Sequence, residues 1–243
     1  MTRLLWAFFS EEGESDRFIT YINLNRLSIK RALDLGYHCT IITNKDLFKY
    51  FLDLDVCLDS FDEYYITFFD YTKHYALKNY TKDYIIIDGD LILKDQLPDV
   101  KADLVFEKYE VNNWKSMYKK YVDFCSLNDI KQIIPEWTGS KRHQIFNIGL
   151  LNIQNDELRE IYLDRWYKFR SFIDSFNLND RLMYAITGSQ YLLTELVEYH
   201  KFTSKDYRTS SKQATYLHYL GERKFTSNIV PSDKLLTFNT SLL

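Results

Sequence analysis

Proline occurs three times in 243 residues and glycine seven times. With so few breakers no Pro/Gly/Ser-rich tract can serve as a linker, and neither a repeat nor a low-complexity segment interrupts the chain. Residues 1–243 are therefore expected to form a single domain, which is the default at this size. Cysteine is equally rare. Cys39, Cys57 and Cys125 are odd in number, widely spaced and never in a CxxC pair. That excludes a disulfide framework and a cysteine zinc site, and it fits a reducing, cytoplasmic setting. Three buried small hydrophobes are the plainer reading of them. Long apolar runs are missing too. The N-terminal run LLWAFF, residues 4–9, gives way to acids from Glu11 and is too short for a secretory h-region or a membrane span. A soluble, intracellular chain is expected. Positive charge is not in excess either: a net charge of −3 and a pI near 6.0 give nucleic acid no electrostatic reason to bind.

What the chain does have is apolar and aromatic surface to bury: 46% hydrophobic residues, among them 20 Tyr, 17 Phe and 4 Trp. Its bias toward Lys, Asn, Ile, Tyr and Phe fits an AT-rich genome of bacterial or large-virus origin. Residues 4–9 read as a short buried strand. Residues 17–35 place Phe18, Ile22, Ile29 and Leu33 at helical spacing, with Gly36 as a C-terminal cap. HCTIIT, 38–43, is a second strand, and Asn44, Lys45 and Asp46 open another helix. This alternation predicts an α/β fold with parallel strands. Further helices are expected over 71–80, 158–176 and 188–199. Further strands are expected over 83–87, 103–106 and 145–153, the last interrupted by Asn and Gly.

The strand at 83–87 ends in IIIDGD, with Asp88 and Asp90 one residue apart. Side chains at i and i+2 of an extended chain share a face, so these carboxylates would repel unless a positive charge lay between them. In open parallel sheets ligands bind beyond the carboxyl ends of the strands. A hard divalent cation prefers oxygen ligands and suits such a pair. The plainer alternative is a strand-ending turn in which Gly89 takes an unusual φ.

IIIDGDLIL resembles the D-x-D strand end of GT-A glycosyltransferases, in which the acids hold Mn²⁺ against the diphosphate of a nucleotide sugar. FNIGLLNI, 146–153, resembles the F-N-[AS]-G segment of glycosyltransferase family 8. HYLGERK, 218–224, resembles that family's H-x-x-G-x-x-K-P-W segment, although Phe225 and Thr226 stand where Pro-Trp follows and Ile148 replaces the small residue before Gly149. The resemblance implies a GT-A (Rossmann-like) fold with a mostly parallel central sheet flanked by helices. It also implies a metal-dependent transfer of a hexose, from a UDP-sugar first and a GDP-sugar second, to a glycan or other hydroxyl acceptor, with retention.

Residue by residue, the resemblance implies that Asp88, Asp90 and His218 bind Mn²⁺ or Mg²⁺. Gly221 and Lys224 would meet the diphosphate, as would Lys73, and Asn147 and Gly149 the donor sugar. Phe8, Phe9, Ser10, Thr43 and Asn44 end the first two strands on the edge that receives the nucleotide. Gln190 occupies the interval where retaining members place a residue opposite the reactive face of the sugar, and Asp180 is the second choice for that catalytic role. An inverting enzyme would need a carboxylate base, which Asp180 or Glu136 could supply. Trp114, Tyr118 and Trp137 are candidates to stack on acceptor sugars, or are simply core. On residue chemistry alone His218 is a packing histidine, Lys73 and Lys224 are solvated cations, and Asn147 is bonded to backbone.

Two rival readings stand beside this one. A haloacid-dehalogenase-type phosphatase also ends an apolar strand in D-x-D, but near its N-terminus and with Thr or Val where Leu91 follows here. A non-catalytic protein on a GT-A fold would bind the sugar nucleotide without turning it over.

Overall fold

The computed structural model describes residues 2–9, 15–61, 71–111, 118–176, 178, 180–208, 210 and 216–218. In chain order its elements are β1 (Arg3–Ala7), α1 (Asp16–Asp34), β2 (His38–Thr43), β3 (Cys57–Ser60), α2 (Tyr71–Asn79), β4 (Tyr84–Ile87), β5 (Leu91–Leu93) and β6 (Leu104–Val111). There follow α3 (Lys119–Leu127), β7 (Gln144–Ile153), α4 (Asp156–Asp174), α5 (Arg181–Ile186), a π-helical turn (Thr187–Tyr191), α6 (Leu192–His200), β8 (Ser204–Asp206) and β9 (Tyr216–His218). The chain divides into two compact units.

The first unit holds β1 to β3, β4, β5 and β9 with α1. Its sheet runs in the order β3-β2-β1-β4, parallel throughout, with Trp6 opposite Ile41 on one side and Ile87 on the other. Leu4, Leu5, Trp6, Ile41, Ile42, Ile86 and Ile87 are all buried, which explains why these strands read as continuous apolar runs: both faces are covered. One cover is α1. Its N-cap is Ser15, whose hydroxyl accepts from the Phe18 N–H at 3.2 Å, and Asp16 stands in the first turn. At its other end Gly36 takes φ +81°, its N–H bonds Leu33 O, and the Tyr37 N–H bonds Ala32 O. That doubly bonded exit requires a left-handed residue, and glycine supplies it without strain.

The second unit holds the remaining elements. Its strand order is β7-β6-β8, with β6 antiparallel to β7 and parallel to β8. The fold is thus α/β with a mostly parallel sheet flanked by helices, as the alternation predicts. In the second unit α4 is capped by Asn155, whose side chain accepts from the Leu158 N–H at 3.1 Å. It packs its Leu158, Tyr162, Trp166 and Phe169 face inward.

Two expectations are corrected and one is met. The strand at residues 4–9 stops at Ala7. The interruption expected at 145–153 is present: β7 spans Gln144–Ile153, but its register with β6 shifts across Ile148–Leu150, and the Asn147 side chain accepts the Gly149 N–H there. The helix over 188–199 is π-helical at its start and α-helical only from Leu192. Among the described residues no helix is long and apolar enough to cross a membrane.

Candidate functional site

In the first unit Asp88, Asp90 and His218 converge. One ligand atom from each lies within 4.8 Å of the other two. His218 Nε2 stands 3.3 Å from Asp90 Oδ1 and 4.0 Å from Asp88 Oδ2, with side-chain exposures of 5%, 13% and 31% for His218, Asp90 and Asp88. The histidine is packed in place, while the acids keep a path to solvent. Two short antiparallel strands make the meeting. β5 leaves the acids at once, β9 pairs with it, and Leu91 lies opposite His218.

The acids themselves are not two positions on an extended strand. The Leu91 N–H bonds Asp88 O at 3.1 Å, so Asp88 to Leu91 is a β-turn with Gly89 and Asp90 at its centre. The alternation argument is therefore corrected: a turn, not strand pleating, brings the carboxylates together. Gly89 is also not the residue of unusual φ, because the positive-φ glycines among the described residues are Gly36 and Gly139. A Cβ at position 89 would instead lie 1.8 Å from Asn25 Oδ1. Glycine is required by close approach.

Divalent cations of this kind hold ligands at about 2.1 Å, which places neighbouring ligand atoms about 3 Å apart and opposed ones about 4.2 Å apart. The observed separations suit such a set after a small side-chain rotation. Two carboxylates and one imidazole, with two negative charges to neutralise, form a donor set suited to Mn²⁺; a pure oxygen set would favour Mg²⁺ more strongly. The residues fit the ion. Nearby, the Tyr21 phenol is pushed well above its ordinary range, first by burial and then by the charges of Asp90 and Asp88, against a hydrogen bond from Asn25. Tyr21 thus remains a neutral neighbour of the acids.

Phe8 follows β1, Thr43 is the last residue of β2 and Asn44 follows it, on the same strand-end edge as Asp88. Phe8 is buried with its ring edge-on to Tyr21 and Phe51, Thr43 is buried, and Phe9 and Asn44 are part-exposed. Ser10, Trp114, Gly221 and Lys224 lie outside the described residues.

The second unit gathers the other expected residues into a polar cluster. Asn147 Nδ2 donates to Glu110 Oε1 at 2.8 Å, and its Oδ1 accepts from the Gly149 N–H at 2.9 Å. The Tyr118 hydroxyl lies 3.2 Å from Glu110 Oε2 and 2.5 Å from the Gln190 amide. Its pKa is raised by burial first and by Glu110 second, so it keeps its proton. Gln190 sits in the π turn, a rare geometry that marks functional sites in many helices. Lys73 Nζ donates to Ile148 O at 2.9 Å, on the peptide between Asn147 and Gly149. Asp180 is set apart from this cluster, bonded by the Tyr121 hydroxyl with Lys120 at 3.9 Å.

Glu136 is not placed as a free base. It is buried, Arg165 grips it with two bonds of 2.8 and 2.9 Å, and these more than offset the upward push of burial and hold its carboxyl below the usual range. Tyr118 and Trp137 are buried, so neither ring offers a face to an acceptor. Sequence reasoning missed Glu110, which the register beside Asn147 identifies only once β6 and β7 are paired. It also missed Tyr21 and Asn25, whose signal was a polar i, i+4 pair on a helix expected to be apolar on that face.

No protein-family model and no curated protein matches the sequence. Among solved structures, the fold is similar to a galactosyltransferase, LgtC, in complex with donor and acceptor sugar analogues, with TM-score 0.44 and 15% identity over 77% of this chain and 70% of that one. It is also similar to the glycosyltransferase GlyE of Streptococcus pneumoniae TIGR4. For the apo form the TM-score is 0.47, with 14% identity over 91% of this chain and 55% of that one. For a second structure of GlyE it is 0.41, with 13% identity over 84% and 45%.

Proposed function

We propose that the chain is a metal-dependent glycosyltransferase, with residues 1–243 as one GT-A domain. It would transfer a hexose from a nucleotide sugar, UDP-linked first and GDP-linked second, to a hydroxyl of a glycan or glycoconjugate. The single observation that carries this reading is the meeting of Asp88, Asp90 and His218 within 4.8 Å, two acids of a strand-end turn and a histidine distant in sequence. Nothing in the packing of a plain turn requires the third member.

In this reading Asp88, Asp90 and neutral His218 hold Mn²⁺ or Mg²⁺. Once bound, the cation would act as a Lewis acid toward the diphosphate leaving group, the largest electrostatic demand of the reaction. His218 is oriented by β9, so its lone pair is aimed before any ligand arrives. Gly221 and Lys224 carry the remaining diphosphate contact on the strength of the motif alone. Asn147 would meet the donor sugar with the N–H and lone pair that its bonds to Glu110 and Gly149 leave over, and Gly149 would allow close approach. Gln190 stabilises the positive charge that develops at the anomeric carbon, and the Tyr118 hydroxyl fixes the direction of that amide. This arrangement accords with retention.

A panel of nucleotide sugars with Mn²⁺ tests the proposal. Transfer or slow donor hydrolysis that vanishes in Asp90→Ala supports it. Donor binding without turnover toward any acceptor would make the chain a sugar-nucleotide-binding protein. Metal-dependent phosphate release from simple phosphomonoesters would make it a phosphatase.

A further inference from the structure

We propose that Tyr21, Asn25 and Ser28, one polar stripe of α1, are the positioning residues of the cation cradle, with Asn25 as the member that shapes it. The proposal rests on the metal-binding reading above. The three residues stand at i, i+4 and i+7 and so share a face. Helix α1 packs against β2 and β5, where apolar side chains would be the ordinary choice. Asn25 and Ser28 instead engage the Asp88–Leu91 turn, and Tyr21 holds Asn25.

Asn25 is fully buried and its orientation is set, because Nδ2 donates to Tyr21 O at 2.9 Å. Its Oδ1 is left buried with no hydrogen-bond partner among the described residues. It lies against Gly89, where a Cβ would come within 1.8 Å of Oδ1, 2.4 Å of Cγ and 2.7 Å of Nδ2. A buried unbonded carbonyl is costly and is retained when the site needs it. Here it fills the space under the turn and leaves the chain one choice at position 89. Ser28 ties down the far end of the turn. Its hydroxyl donates to Leu91 O at 2.5 Å and accepts from Trp6 Nε1 at 3.0 Å. Leu91 is the residue paired with His218, so one helix face sets the acids and, through β5, the height of the imidazole. Tyr21 contributes through its carbonyl, which accepts the Asn25 Nδ2–H and so fixes where Oδ1 lies.

Groups that orient metal ligands typically change affinity by about 10- to 100-fold when removed. The test measures Mn²⁺ binding calorimetrically and, separately, thermal melting in EDTA for Asn25→Ala, Gly89→Ala, the double variant and wild type. Asn25→Ala is expected to weaken Mn²⁺ binding by about 10-fold or more while melting stays within a few degrees of wild type. Gly89→Ala is expected to melt early, and adding Asn25→Ala is expected to restore much of that loss, since the obstructing atoms are gone. Wild-type affinity in Asn25→Ala, or losses in the double variant that merely add, would overturn the role of Asn25 and leave the metal site standing. A wild-type protein that binds no Mn²⁺ would remove both.

Discussion

His218 Nε2 lies 3.3 Å from Asp90 Oδ1 because β9 runs antiparallel to β5 with His218 opposite Leu91, the residue after the acid. Two strands of three residues each have few bonds of their own to spare. The pairing is held in part by the ligand set, and the ligand set by the pairing. Loss of any member should therefore weaken metal binding. His218→Ala, Asp88→Asn and Asp90→Asn are each expected to raise the Mn²⁺ dissociation constant by about 10-fold or more, Asp90→Asn more than Asp88→Asn because Asp90 is the less exposed and stands closer to the imidazole. Isothermal calorimetry on the folded variants decides it. An unchanged constant in His218→Ala would mean that the histidine is a packing residue.

The amide of Gln190 separates a catalytic role from a structural one. Tyr118→Phe removes the hydroxyl that lies 2.5 Å from that amide but leaves Gln190 in place, whereas Gln190→Ala removes the amide itself. If the amide stabilises charge in the transition state, Gln190→Ala should lower kcat by about 100-fold with little change in KM, and Tyr118→Phe should cause a smaller loss in the same parameter. Steady-state kinetics on the donor that the panel identifies reads this directly. A change confined to KM would make Gln190 a binding residue.

The turn that holds Asp88 and Asp90 was legible as a location and not as a geometry. A near-continuous apolar run closing on two acids pointed to the end of a central strand, and β4 is that strand. The bend between the acids was invisible because the reason for Gly89 lies on another element, Asn25, far along the chain. His218 could be placed only through its motif, since three-residue strands such as β5 and β9 carry too little periodicity to read. β2 was read to the residue because apolar composition and a glycine-capped helix both bounded it. The irregularity in β7 is legible from Asn147 and Gly149, but Glu110 is not, because only the pairing with β6 brings it to the Asn147 amide.

The Glu136–Arg165 pair predicts an acid limb of stability. The folded carboxyl is held below its unfolded value, so the unfolded chain binds its proton first as pH falls. The pair's contribution is complete above pH 4.5, the ordinary value of the group, and is lost as pH drops through the folded value. Melting temperature should fall below pH 4.5 in the wild type. Glu136→Gln should melt lower than wild type at pH 7, with the gap narrowing at acid pH. Calorimetric scans from pH 3 to pH 7 measure both curves, and parallel curves would mean that the pair is thermodynamically silent.

Beneath the π turn that carries Gln190, the Tyr162 hydroxyl donates to Ser189 O at 2.9 Å, so its single proton is already used. It also stands 2.9 Å from His74 Nε2, and a hydroxyl whose proton is committed can only accept there. His74 must therefore carry its proton on Nε2, in a ring that stacks 3.7 Å above Trp166 and has no exposure. Nitrogen-edited NMR of the histidine rings should find that tautomer for His74. Tyr162→Phe would remove two buried hydrogen bonds at once, each worth about 0.5–1.5 kcal/mol. The variant should melt several degrees below wild type. It should also lose turnover more steeply than its stability at the assay temperature accounts for, because the lost bond anchors Ser189, the neighbour of Gln190 in the same turn. If Tyr162→Phe melts and turns over like wild type, the hydroxyl is not what holds that turn.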